Sequence, residues 1–232
     1  MPAKNSIKLY VENGYYHIYN RGVNKNNVFL EEVDYRFFLY LLKIYLSNPI
    51  TSKQLILENS SKFLYIPKNF FDKITLVAYV LMPNHFHILV RQTAARSIES
   101  FMRALMIKYT MYLNSKYSRI GPLFQGRYKG ILITSDAYLL HISRYIHRNP
   151  IDLDSQKLIF SIPWRSYRDY PFSSYRWYLS NIKLEWFNPS SILDFFNSKP
   201  VWIPKDVLSY QSFVSNYKKG FPSGLKTLLL DK

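Results

Sequence analysis

The chain has 232 residues, 48% hydrophobic and 18% aromatic, enough to bury a core of its own. Its 31 Lys and Arg against 15 Asp and Glu leave a formal charge of +16, a surplus that favours a polyanionic partner, nucleic acid first. Cysteine is absent, which excludes disulfides, thiolate metal sites and cysteine nucleophiles and restricts any metal to nitrogen and oxygen ligands.

Residues 15–22 are rich in β-forming side chains and stop at Gly22, so they read as a first strand carrying Asn20 and Arg21 at its end. A polar loop, 24–27, leads to residues 31–47, where Phe37, Phe38, Leu41, Leu42 and Tyr45 recur at helical spacing behind an acidic first turn. Residues 49–72 are mixed and polar, and read as a long connection with one short helical or extended piece around 55–64. Two apolar β-branched runs, 74–82 and 85–92, flank Pro83-Asn84 and predict a hairpin whose turn the proline presets. Residues 97–117 predict a helix, 121–133 a fourth strand, and 136–148 a helix capped by Thr134-Ser135-Asp136 and ended by Asn149-Pro150, because proline disfavours helical geometry before it. The order strand, helix, hairpin, helix, strand, helix suits an α+β fold, a ferredoxin-like antiparallel sheet covered by helices.

Beyond Pro150 an aromatic segment, from Trp164 to Tyr178, lacks periodicity and is expected to pack back on the domain. Residues 186–196 and 207–217 are two short helical patterns, which places a catalytic domain at 1–180 and a small helical C-terminal extension at 181–232. Residues 1–150 carry 20 of the basic and 8 of the acidic residues, so the surplus charge travels with the suspected chemistry. The first 13 residues are polar with no signal core, and no run approaches the ~18 apolar residues of a membrane span, so the expectation is a cytoplasmic protein with no membrane partner.

One phrase reads as chemistry. On a strand, His85 and His87 share a face. Such a pair is as readily structural as metal-binding, yet two buried imidazoles need a partner, and an imidazole and amide set suits Mg²⁺ or Mn²⁺, with Zn²⁺ open. In the helix 136–148, Leu139, Ile142 and Ile146 form a core stripe, while Tyr138, His141, Tyr145 and Asn149 run beside it. Tyr145 and Asn149 lie one turn apart, so the Asn149 amide can reach an ion while the Tyr145 phenol approaches a phosphate on that ion. Arg127, Lys129, Arg144 and Arg148 are candidates for the positive field such a reaction requires. Arg21, Lys25, Arg103, Lys108, Lys116, Arg119, Arg127 and Lys129 are candidate phosphate contacts, and Tyr109 and Tyr112 read as core.

Four ordered phrases, Tyr-His-Ile-Tyr-Asn-Arg-Gly (16–22), Met-Pro-Asn-His-Phe-His (82–87), Gly-Pro-Leu-Phe-Gln-Gly-Arg-Tyr-Lys (121–129) and Tyr-Ile-His-Arg-Asn-Pro (145–150), together resemble the motifs of the single-tyrosine (HUH) transposase superfamily. Pro-Phe-Ser-Ser-Tyr-Arg (171–176) and Tyr-Gln-Ser-Phe-Val (210–214) extend the resemblance to its REP-associated branch. The resemblance implies His85, His87 and Asn149 as ligands of Mg²⁺ or Mn²⁺, and Tyr145 as the nucleophile that cuts single-stranded DNA beside a hairpin through a 5′-phosphotyrosine link. Arg21 and Arg127 are expected to contact that DNA, with the protein acting as monomer or homodimer. The competing expectation is a domesticated, hairpin-specific binding protein that no longer cuts. RNA binding on the same fold lacks its aromatic strand signature.

Overall fold

The structure, a computed structural model, describes residues 9–59, 68–153 and 164–216. The β-branched and aromatic runs form β1 (Tyr15–Arg21), β2 (Ile74–Met82), β3 (His85–Gln92) and β4 (Lys129–Ile133), one antiparallel sheet in the order β2-β3-β1-β4. Pro83-Asn84 makes the two-residue turn between β2 and β3, and β3 lies between β1 and β2 as a split βαβ unit requires. This is the ferredoxin-like arrangement the element order predicts.

One face of the sheet carries Phe86, which packs against Phe38 of α1 (Glu32–Leu46) with ring centroids 5.2 Å apart, and Phe38 in turn meets Tyr109 of α3 (Ser97–Lys116) at 5.0 Å. The opposite face is crossed by α4 (Asp136–Arg148), where the Ser135 hydroxyl accepts from the Tyr138 amide at 3.3 Å as the helix cap. Tyr109 is core as its spacing suggests, its hydroxyl donating to the Val28 carbonyl at 2.6 Å.

Several boundaries differ from expectation. Residues read as a long connection form α2 (Pro49–Asn59), started by a proline and fastened to the end of α1 by the Ser52 hydroxyl, 2.7 Å from the Ile44 carbonyl. Its apolar residues have little helical periodicity, which is why the pattern did not disclose it; the rest of the expected piece, 60–64, falls outside the described residues. β4 starts at Lys129, not at 121, because 121–128 is a loop held by other bonds: the Val23 amide donates to the Leu123 carbonyl and the Gln125 amide to that of Arg21. Another concerns Asn149, which keeps right-handed helical angles (φ −51°, ψ −38°) although Pro150 follows it. The helix tightens there into a 3-10 turn (Asn149–Asp152), and the proline sits where its missing N–H is not needed.

The remaining helices are α5 (Tyr175–Tyr178), α6 (Ser190–Ser198), which starts after Pro189 rather than at Trp186, and α7 (Tyr210–Ser215). The aromatic segment does pack back. It seals the outer edge of β2, where the Leu81 amide donates to Phe172, the Ser174 amide to Tyr79, and the Tyr170 and Tyr178 hydroxyls to Leu81 and Val77. α7 and Ser174 clamp α4 through its buried His147, whose Nδ1 lies 2.6 Å from the Tyr210 hydroxyl and Nε2 2.7 Å from the Ser174 hydroxyl. Burial pulls the His147 pKa down to about 3, so the ring is neutral at physiological pH and one nitrogen donates while the other accepts. Tyr210 also donates to Ser143 at 3.1 Å, so Tyr210→Phe removes two buried hydrogen bonds. We expect that change to lower unfolding stability by about 1–3 kcal/mol in urea titrations.

A second clamp joins α1 to α3. The fully buried Asp34 carboxylate accepts from the Leu30 and Glu31 amides, the Tyr112 and Tyr117 hydroxyls and the Lys116 ammonium, the last at 2.8 Å. Lys116, considered above as a phosphate contact, is therefore committed to the fold. Burial pushes the Asp34 carboxyl up, but Lys116, the two backbone amides and Tyr117 outweigh it and hold the group below the ordinary value of 3.8. The stability this gives is complete above pH 3.8 and is lost as pH falls through the lower folded value. Asp34→Asn should destabilise the protein by about 3 kcal/mol at pH 7, and the loss should shrink as the pH of the urea titration is lowered past that range.

Candidate active site

Alternation along the strands sets which side chains meet α4. β3 presents His85, His87 and Leu89 there, and β1 presents Tyr15, His17, Tyr19 and Arg21. The register places Arg21 opposite His85, Tyr19 opposite His87, and Lys129 of β4 opposite Tyr19.

The half-buried His85 ring lies between two amide oxygens, Asn84 Oδ1 at 2.6 Å from Nδ1 and Asn149 Oδ1 at 3.1 Å from Nε2. A neutral imidazole donates through one nitrogen only, so this ring either carries both protons or meets one amide with a lone pair. His87, 1% exposed, stands with its ring centroid 5.0 Å from that of His85 and nearly perpendicular to it. The half-buried Tyr145 ring meets His87 edge-on at 5.4 Å. His85, His87, Tyr145 and Asn149, which lie up to 64 residues apart, are thus gathered between β3 and the last turn of α4. Among the described residues no three His, Cys, Asp or Glu side chains come together as a metal-holding set. Beside the histidine pair, the Asn149 amide brings an oxygen to the His85 Nε2 edge.

The expected sources of positive charge divide. Arg21 and Lys129 stand on the α4 side of the sheet, in the same cross-strand rows as the histidines. Arg144 instead lies over the Phe213 ring at 4.1 Å and donates to the Phe213 carbonyl, and Arg148 lies over Tyr167 and donates to the Val214 carbonyl. Both hold the C-terminal segment against α4. Arg144 also donates to His141 Nδ1 at 2.7 Å; burial first, then this cation, lowers the His141 pKa to about 4. Arg127 is exposed on the α3 side, where with Arg103, Tyr10, Met106 and Phe124 it lines a cleft of about 910 Å³.

One member of the cluster was not among the expected site residues. His17 is 1% exposed, and its Nε2 lies 2.8 Å from His87 Nδ1, the two rings side by side within 19° of coplanar. It also meets Tyr145 edge-on at 6.1 Å. Its signal was present in the chain, since period two from Arg21 puts His17 on the same face, but pairing it with His87 requires the β1–β3 register.

Residues 51–149 match the family model described as IS200-like transposase, a span that holds His85, His87, Tyr145 and Asn149. Two solved structures are similar to the chain. One is of a REP-associated tyrosine transposase bound to a REP hairpin: 15% identity, 80% of this chain and 91% of that chain covered, TM-score 0.53. The other, of a transposase candidate from Deinococcus radiodurans R1, shows 18% identity over 63% of this chain and 95% of that one, with a TM-score of 0.35. No curated protein matches the chain. The first structure supports the fold described above, and the four gathered side chains all fall within the span that matches the IS200-like transposase model.

Proposed function

We propose that this protein is a metal-dependent transposase and endonuclease that cuts and rejoins single-stranded DNA beside a hairpin, with Tyr145 as nucleophile. The observation that carries the reading is the meeting of Tyr145 and His87 rings at 5.4 Å with the His85 Nε2 to Asn149 Oδ1 approach of 3.1 Å. Imidazole nitrogen and amide oxygen without thiolate fit Mg²⁺ or Mn²⁺, held by His85, His87 and Asn149. The bound ion would polarise the scissile phosphate and stabilise charge on its oxygens.

The protein's own groups do the rest. Tyr145 Oη attacks phosphorus and gives its proton to solvent, the bond from phosphorus to the 3′-oxygen breaks as that oxygen takes up a proton from solvent, and the products are a 5′-phosphotyrosine and a free 3′-hydroxyl. An unperturbed phenol has a pKa of about 10, so the attack depends on cations nearby. Arg21 and Lys129, in the histidine rows, are placed to supply them. A 3′-hydroxyl attacking the same phosphorus regenerates the phenol and rejoins the strand, with no external energy source. The first solved structure above is described as bound to a REP hairpin, which favours a hairpin as the recognised element here. The formal charge of +16 and the family match both suit a nucleic-acid partner.

Tyr145→Phe should reduce cleavage of a labelled, hairpin-bearing single strand in Mn²⁺ by about 10³-fold or more and abolish the denaturant-resistant protein–DNA adduct, with hairpin affinity unchanged. His85→Ala or excess chelator should do the same. Cleavage that survives Tyr145→Phe removes the nucleophile from the proposal, and a wild-type protein that binds hairpins without cutting any is the domesticated binder instead.

Arg21 and Arg127 should separate. Arg127→Ala, in the cleft on the α3 side, should weaken hairpin binding and lower the slope of log affinity against log salt by about 1. Arg21→Ala, beside His85, should depress the cleavage step of bound DNA more than its binding. Single-turnover cleavage and binding titrations over a range of salt check both.

A further inference from the structure

We propose that His17 is a positioning residue for His87, fixing the tautomer and the ring plane in which His87 Nε2 offers its lone pair to the cation. The inference rests on the metal-dependent reading above and extends it to a residue outside the ligand set. Two imidazoles 2.8 Å apart through Nε2 and Nδ1, nearly coplanar and side by side, share one hydrogen-bonding proton. That leaves two arrangements of a neutral pair. If His17 donates, His87 accepts at Nδ1 and must carry its own proton on Nε2, which cannot then coordinate. If His87 donates from Nδ1, its Nε2 has a free lone pair and His17 holds its remaining proton on Nδ1. Only the second is compatible with an ion on Nε2, so the His17 acceptor and the cation favour the same tautomer of His87.

The placement of His17 suits this work better than ligation. No three His, Cys, Asp or Glu side chains form a metal-holding set among the described residues, so His17 does not complete one with His85 and His87. Its Nε2 is turned to His87 rather than to the Asn149 amide that His85 faces. It stands on β1, paired to Leu89 on one side and Ile131 on the other, where it has little room to turn. A ligand histidine commonly has its second nitrogen held by a carboxylate, a carbonyl or water. Here a second imidazole stands in that place, and an imidazole accepts only through the nitrogen that is unprotonated, which is why the pair must agree on where its protons lie.

The test is Mn²⁺ binding to the full chain without DNA, followed by electron paramagnetic resonance, beside thermal unfolding and metal-free hairpin binding. His17→Leu removes the acceptor and should weaken Mn²⁺ affinity by 10- to 100-fold with hairpin affinity in chelator unchanged. His17→Gln, whose Oε1 can reach the place of the imidazole Nε2, should recover affinity to within about threefold of wild type. Wild-type Mn²⁺ affinity in a folded His17→Leu, while His87→Ala loses it, overturns the positioning role and leaves the metal site standing. Unchanged Mn²⁺ affinity in both His85→Ala and His87→Ala overturns the metal reading itself. Should His17→Leu fail to fold, nitrogen-15 NMR of the wild-type protein loaded with Mg²⁺ decides: a proton on His87 Nδ1 supports the assignment, and a proton on Nε2 refutes it.

Discussion

The register of β1 against β3 determines which side chains meet α4, because a slip of a single residue would exchange the two faces of the sheet and send His85 and His87 toward α1 and α3. Several contacts oppose such a slip. Phe86, Ile88 and Val90 are fully buried on the far side, and Phe86 packs against both Phe38 and Phe124. At the end nearest the histidines, the Pro83 carbonyl accepts from the Val28 and Phe29 amides, and the Gly22 amide donates to Asn84. Gly22 allows the chain to turn there because any Cβ would stand 2.1 Å from the Asn26 carbonyl oxygen. The hydrophobic core thus places the polar cluster without taking part in it.

α4 is the other half of the arrangement, and it is held in place by residues far along the chain. His147, buried and neutral, makes its two hydrogen bonds with Tyr210 and Ser174, one as donor and one as acceptor, while Arg144 and Arg148 reach out to the carbonyls of Phe213 and Val214. An unsatisfied polar group at that depth would cost on the order of 1–3 kcal/mol, so a rotation of α4 that moved Tyr145 would also break this network. The helical residues after 181 therefore bear on the geometry of Tyr145. On the proposed function, their contribution to catalysis would run through the orientation of one helix.

Much of this was legible in the chain itself. The hairpin, the shared face of His85 and His87, and the spacing of Tyr145 and Asn149 follow from periods of two and 3.6 and from the turn chemistry of Pro83-Asn84. What was not legible depends on tertiary choice. Arg144 and Arg148 have no marking in the sequence that distinguishes a cation over Phe213 or Tyr167 from one over a phosphate. Lys116 likewise needs Asp34, 82 residues away, before it reads as a clamp. α2 was hidden because its residues lack an apolar stripe, and Asn149 because the general bias against helical geometry before proline is outweighed here by a 3-10 turn. His17 lies within the stretch 16–22, but its use depends on which strand lies beside β1.

β1 also connects the two basic regions. Its alternate side chains look in opposite directions: His17, Tyr19 and Arg21 toward α4, Ile18 and Asn20 toward α3. Asn20 donates through Nδ2 to the Gly126 carbonyl at 3.0 Å and accepts at Oδ1 from the Arg21 amide, and the Arg21 carbonyl accepts from Gln125. The loop that carries Arg127 is therefore fastened at two points to the end of the strand that carries Arg21. On the proposed function, a DNA segment gripped at the cleft and a phosphate presented to Tyr145 are registered through this one strand end. The spacing between recognition and scission would then be set by hydrogen bonds within a rigid sheet, not by a flexible linker between two modules.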